Sequence, residues 1–106
     1  MRDTYSSLIQ VADLVDEVDY DTLHTRYKNK EQRSSIIAKV YCDNIGYLVN
    51  RAGKYVSIDE EEKASLALEA IHEALKNYSE DRDMKLISLT GLYFEHKLKN
   101  AIRDQN

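Results

Sequence analysis

The only residues in this chain whose types and spacing suggest metal chemistry are Glu69 and His72. Glu-x-x-His is the spacing used by helical di-iron sites, where the two side chains share a helix face and point inward. Such a site needs a second pair and two further inward glutamates, and the chain holds no second Glu-x-x-His. His24, His72 and His96 are far apart in sequence, with no cysteine or second histidine at ligand spacing. No glycine-rich phosphate loop, Gly-x-Ser-x-Gly or Cys-x-x-Cys is present either. We therefore expect no catalytic residue, no metal, no cofactor and no enzyme. One cysteine, Cys42, excludes an intramolecular disulfide and reads as a small apolar side chain in a reducing compartment.

The residues with the clearest organisation lie in the second half, from Ser57 onward. Ser57-Ile58-Asp59-Glu60 has the form of a capping box, a serine that caps the helix start and a glutamate that reaches back to it. From there Ala64, Ala67, Leu68, Ile71, Ala74, Leu75 and Tyr78 recur at three- and four-residue steps and predict a buried helix face. The opposite side carries Glu62, Leu66, Glu69 and Glu73, an outward acidic stripe with a leucine inside it. After Tyr78 the polar run Ser79-Glu80-Asp81-Arg82-Asp83 reads as an exposed turn.

A last helix should follow, and its first half has too many apolar residues for one stripe. Ile87, Gly91, Phe94, Leu98 and Ala101 or Ile102 form a core face; Leu86, Leu89, Tyr93 and His96 form a second one. Two faces predict two packing partners, the second either inside the chain or outside it. Charge divides along the same line. Residues 59–83 hold nine acids against three bases, whereas residues 84–106 hold four bases against two acids. That split suits a helix that docks on a basic protein surface beside one that tolerates nucleic acid. Four bases are a thin phosphate footprint, so strong DNA binding by this chain alone is not expected.

The order of these features resembles region 2 of the bacterial sigma-factor family, over roughly residues 36–104. Ala74-Leu75-Lys76-Asn77-Tyr78 matches the family's alanine-to-aromatic helix exit. Lys85-Leu86-Ile87-Ser88-Leu89 stands at its lysine-led segment, Leu92-Tyr93 at its aromatic pair, and Ala52-Gly53-Lys54-Tyr55 at the end of its preceding helix. Ser65-Leu66 replaces the family's polymerase-contacting Gln-Glu pair, and Leu86 and Leu89 replace two promoter-melting aromatics. These departures are of the kind found in sigma-like proteins of phages and mobile elements. The resemblance implies a transcription protein that docks on the clamp helices of the largest subunit of RNA polymerase core, through Glu62, Ser65, Leu66, Glu69 and Glu73. It implies that Lys85, Tyr93, His96, Lys97 and Lys99 face promoter DNA, weakly or conditionally. A helix-turn-helix has no room here, so either a second sigma-like subunit supplies it or the chain is a fragment of a longer protein. The alternative is a small helical adaptor or inhibitor that binds a protein and never touches DNA.

At 106 residues, with no proline, three glycines and 42% hydrophobic residues, the chain is expected to be one all-α domain of four helices. No apolar run approaches the roughly 20 residues of a membrane span, which predicts a cytoplasmic protein without membrane contact. Tyr5, Leu8, Ala12, Val15 and Val18 or Asp19 mark a leading helix that runs to about Asp19, where late acids oppose the helix dipole. His24 to Gln32 reads as an unstructured basic connection, closing a leading segment, 1–33, before the sigma-like unit, 34–106. One continuous helix is expected from about Ser34 to Gly53, with Gly46 marking a close helix contact.

Overall fold

The computed structural model describes residues 1–15, 20–79 and 84–105. Among the described residues all regular structure is helical, in six segments: α1 (Arg2–Ala12), α2 (Tyr20–Lys28), α3 (Arg33–Asp43), α4 (Ile45–Ala52), α5 (Glu60–Asn77) and α6 (Leu86–Gln105). The all-α class is as expected. The helix count is larger than four for two local reasons.

The first is α2, where an unstructured connection is expected over His24 to Gln32. Leu23 and Tyr27 lie one helical turn apart and are 0% and 1% exposed, and His24 is 6% exposed, so this polar segment is held by three buried side chains rather than by a continuous apolar stripe. Its end is a turn in which Lys30 and Gln32 take left-handed backbone angles, φ 63° and 48°. The Arg33 Nε donates to the Tyr27 carbonyl at 2.9 Å, and the guanidinium lies 4.8 Å from the centre of the Tyr27 ring.

The second is a break at Asn44, which divides the expected central helix into α3 and α4. Asn44 sits at φ −121°, ψ 21°, and its Nδ2 donates to the Val40 carbonyl at 2.8 Å and to the Tyr20 hydroxyl at 2.9 Å. An asparagine side chain that bonds its own preceding turn competes with the helical backbone and ends it. Gly46 is not the close contact expected of it: a Cβ there would meet nothing within 4 Å. The close contact is at Gly91 on α6, where a Cβ would lie 3.2 Å from the Tyr47 Cζ and 3.3 Å from the Arg51 Cζ.

The leading helix also stops early, at Ala12, with Asp13 as C-cap and Leu14 68% exposed in the following turn. Three acids in the next stretch would oppose the dipole of a longer helix; the expected extension to Asp19 runs into residues 16–19, outside the described residues. Val15 is nevertheless buried.

One hydrophobic core runs from Met1 and Val15 through Leu23, Tyr27, Ile36, Tyr41 and Leu48 to Phe94 and Leu98. Within it α5 contributes Ala64, Ala67, Ala70 and Ala74, each at most 2% exposed, with Ile71 and Leu75. Phe94 and Leu98 of α6 are buried in the same core at 0% exposure. Fully burying such residues is worth about 1.5–3 kcal/mol each. Of the expected second face of α6, Leu86 and Leu89 fold into this same core at 2% and 6% exposure, Tyr93 is half-buried and His96 is exposed. No outside partner is needed to cover the two leucines.

The start of α5 differs in one detail from the expected capping box. Asp59, not Ser57, is the N-cap, and its Oδ1 accepts from the Glu62 backbone N–H at 2.8 Å. A carboxylate offers both a hydrogen bond and a favourable charge at the helix start. Asp59→Ala should lower the unfolding free energy by about 1 kcal/mol in urea titrations, and Ser57→Ala by less than about 0.5 kcal/mol.

Tyr41 allows a second test. It is 0% exposed, and its hydroxyl donates to the Met1 carbonyl at 2.8 Å. Burial pushes its pKa from 10.0 up to about 12; Cys42 and Glu60 add to the rise, and a hydrogen bond with Thr4 opposes it. The folded state thus holds the proton that the unfolded chain gives up near pH 10. The stabilisation is complete below pH 10 and is lost as pH rises to about 12. Alkaline denaturation curves should fall less steeply across that window in Tyr41→Phe than in the parent protein.

Candidate functional site

The residues expected to contact a polymerase or DNA lie on α5 and α6, and the packing of these two helices decides what each can do. Asn77 faces Tyr93, Glu73 and Glu69 face Lys97, and Ser57 near the start of α5 meets Gln105 near the end of α6. The pair is therefore antiparallel. Their polar flanks meet along one seam.

On α5 the acidic stripe is outward as expected. Glu62, Ser65 and Glu69 are exposed, and Glu73 and Leu66 are half-buried. Leu66 packs against the core edge and, with Glu62, Lys97, Asn100 and Ala101, lines a shallow groove between the helices. Its burial explains why a leucine stands in an acidic stripe: it covers the seam.

On α6 the five expected DNA-facing residues do not share one face. Lys97 turns toward α5, where its Nζ donates to the Glu73 Oε1 at 2.9 Å and lies 3.7 Å from the Glu69 Oε2. Tyr93 is half-buried on the same side, its hydroxyl accepting from the Asn77 Nδ2 at 3.4 Å. The seam thus removes Lys97 from any phosphate footprint and neutralises part of the acidic stripe. Lys85, His96 and Lys99 are exposed and lie with Ser88, Leu92 and Arg103 at helical steps along the outer face. Leu92, 52% exposed, is the apolar residue that this face leaves in solvent.

Sequence reasoning missed one cluster. Glu95, on α6, lies 3.1 Å from the Arg51 Nη1, 3.6 Å from the Lys54 Nζ and 3.9 Å from the Lys99 Nζ. Burial pushes the Glu95 carboxyl up, but the attraction of Lys54, Arg51 and Lys99 outweighs it and leaves the pKa below the usual glutamate range. The four-residue step Glu95 to Lys99 was legible in sequence; the arrival of Arg51 from α4 and of Lys54 from the turn after it was not.

The histidines are structural or solvent-facing. His72 shares a hydrogen bond from Nδ1 with the Tyr27 hydroxyl, and its ring meets Tyr27 edge-on at 5.6 Å. His24 packs edge-on against Tyr78 at 4.9 Å. Both contacts fasten α2 to the α5 end of the molecule, and Glu69 points instead to the α6 seam. Among the described residues no three His, Cys, Asp or Glu side chains converge as metal ligands, and no helix is long and apolar enough to cross a membrane.

Comparison of the chain with protein-family models, with curated proteins and with solved structures returned no match.

The Lys97 seam has a measurable signature. Its side chain is 19% exposed and bridges two carboxylates, so Lys97→Met should cost about 1 kcal/mol in urea denaturation at low salt. At about 1 M salt, where charges are screened beyond roughly 3 Å, the difference should shrink.

Proposed function

We propose that this chain is a sigma-like transcription protein that binds RNA polymerase core through the outer face of α5. The observation that carries the reading is the face itself, with Glu62, Ser65 and Glu69 exposed on one side of an 18-residue helix and half-buried Leu66 between them. Charged side chains around an apolar centre are the makings of a protein interface, and a basic helical surface such as the polymerase clamp is its complement. The match of residue order to sigma region 2 supplies the identity of that partner. Exercised in this way, the protein acts in the cytoplasm, as a divergent phage or mobile-element type of factor.

The contribution of α6 to promoter contact is smaller than the resemblance implies, because Lys97 and Tyr93 are engaged by α5. Promoter recognition on this reading needs a second sigma-like subunit or a further region. The same two contacts favour the second reading, an adaptor or inhibitor that occupies a protein partner without touching DNA. Burial of Leu86 and Leu89 takes away the excess apolar surface that would otherwise support it.

Pull-down of the purified chain with bacterial RNA polymerase core, and with isolated clamp helices, is the test. Binding should compete with the main sigma factor of the host. Ser65→Lys, at an exposed position outside the Lys97 ion pairs, and Leu66→Asp should each weaken it at least about tenfold, with Ser65→Lys leaving the melting temperature nearly unchanged. Absence of binding to both baits would give the adaptor reading the lead.

A further inference from the structure

The outer face of α6 carries a pattern that core packing does not use. Lys85, at the start of the helix, Leu92 and Lys99 stand two helical turns apart, so an apolar residue lies between two cations about 10.5 Å to either side of it. All three are exposed, Leu92 at 52%. Lys99 shares the Glu95 carboxylate with Arg51 and Lys54, which leaves its charge available to a further acid. On α5 the same spacing recurs with the opposite sign. Asp59, the N-cap, and Glu73 stand two turns before and after Leu66, with Glu62 and Glu69 between them. Lys97 brings one positive charge to these four carboxylates, through Glu73 and Glu69, and the stripe stays acidic. Half-buried Leu66 and Ala101 line the shallow groove beside it.

We infer that the outer face of α6 is a self-docking surface, which seats on the α5 stripe of a second copy of this chain. Register and charge together decide for that occupant. With Leu92 of one copy set against Leu66 of the other, Lys85 and Lys99 fall at Asp59 and Glu73 whether the two helices run parallel or antiparallel, because both patterns are symmetric about their leucine. An apolar contact flanked by opposite charges is how helices choose a partner and a register. The two faces are different surfaces of the molecule, so the contact is heterologous, and each copy can offer α6 to one neighbour and α5 to another. One helix face on another is a small interface, which belongs among weak and reversible associations. Association covers the α5 stripe, so at high concentration fewer copies are open to any other partner of that stripe. The inference needs no polymerase and stands or falls apart from the identity of that other partner.

Sedimentation velocity of the whole chain tests it. At about 0.5 mM and low salt the parent should sediment faster than a monomer, and about 1 M salt should return it to the monomer by screening the charges. Leu92→Gln spoils the α6 face, and Ser65→Lys, beside Leu66, spoils the α5 face. Both positions are exposed, and each variant alone should associate at least about tenfold more weakly than the parent. Mixed in equal amounts, the two variants should form a dimer with one copy of each and nothing larger, because each still holds the face that the other has lost. A parent that stays monomeric at this concentration, whatever else its α6 face takes up, would overturn the inference. So would variants that associate as the parent does, or a mixture that recovers no dimer.

Discussion

The close antiparallel packing of α5 on α6 is the constraint on which the rest of the molecule depends. Ala64, Ala67, Ala70 and Ala74 of α5 are buried in one core with Phe94 and Leu98 of α6. Because the two backbones are near, their polar flanks are near as well. Lys97 then reaches Glu73 and Glu69, and Tyr93 reaches Asn77. A pair of larger core residues would hold the helices further apart and leave those side chains for outside partners.

The α2, α3 and α4 helices pack on this pair, and α1 packs on α3. The α2 helix is fastened to the pair by a hydrogen bond between Tyr27 and His72 and by His24 packed edge-on against Tyr78. The α4 helix lies along α6 through Tyr47 at Gly91 and Arg51 at Glu95. The α3 helix fills the interior with Ile36, Val40 and Tyr41, and α1 closes over it. The outcome is a molecule of two chemically different sides. One presents the acids of α5, the other the bases of α4 and α6.

Those sides coexist in a chain whose formal charge is only −4. The total is mildly acidic, but opposite charges are separated in space and only partly cancelled, at Lys97 on one seam and at Glu95 on the other. Each internal ion pair lowers the charge available to a partner.

The all-α class, the extent of α5 and α6 and most of their buried faces were legible in the sequence, because a three- and four-residue apolar period is a local property of the chain. The helix start at Asp59 and the break at Asn44 were also local, but each depended on a choice between neighbouring side chains that periodicity does not make. The α2 helix was hidden because only Leu23 and Tyr27 mark its buried side among charged and β-branched residues. What only the tertiary structure decided is which charges remain for function. Lys97 and Lys99 are two residues apart and identical in type, yet one is spent on α5 and the other faces solvent beside Arg51 and Lys54. Sequence determines on which side of its own helix a residue stands; which helix arrives opposite it is determined by the packing of the whole core.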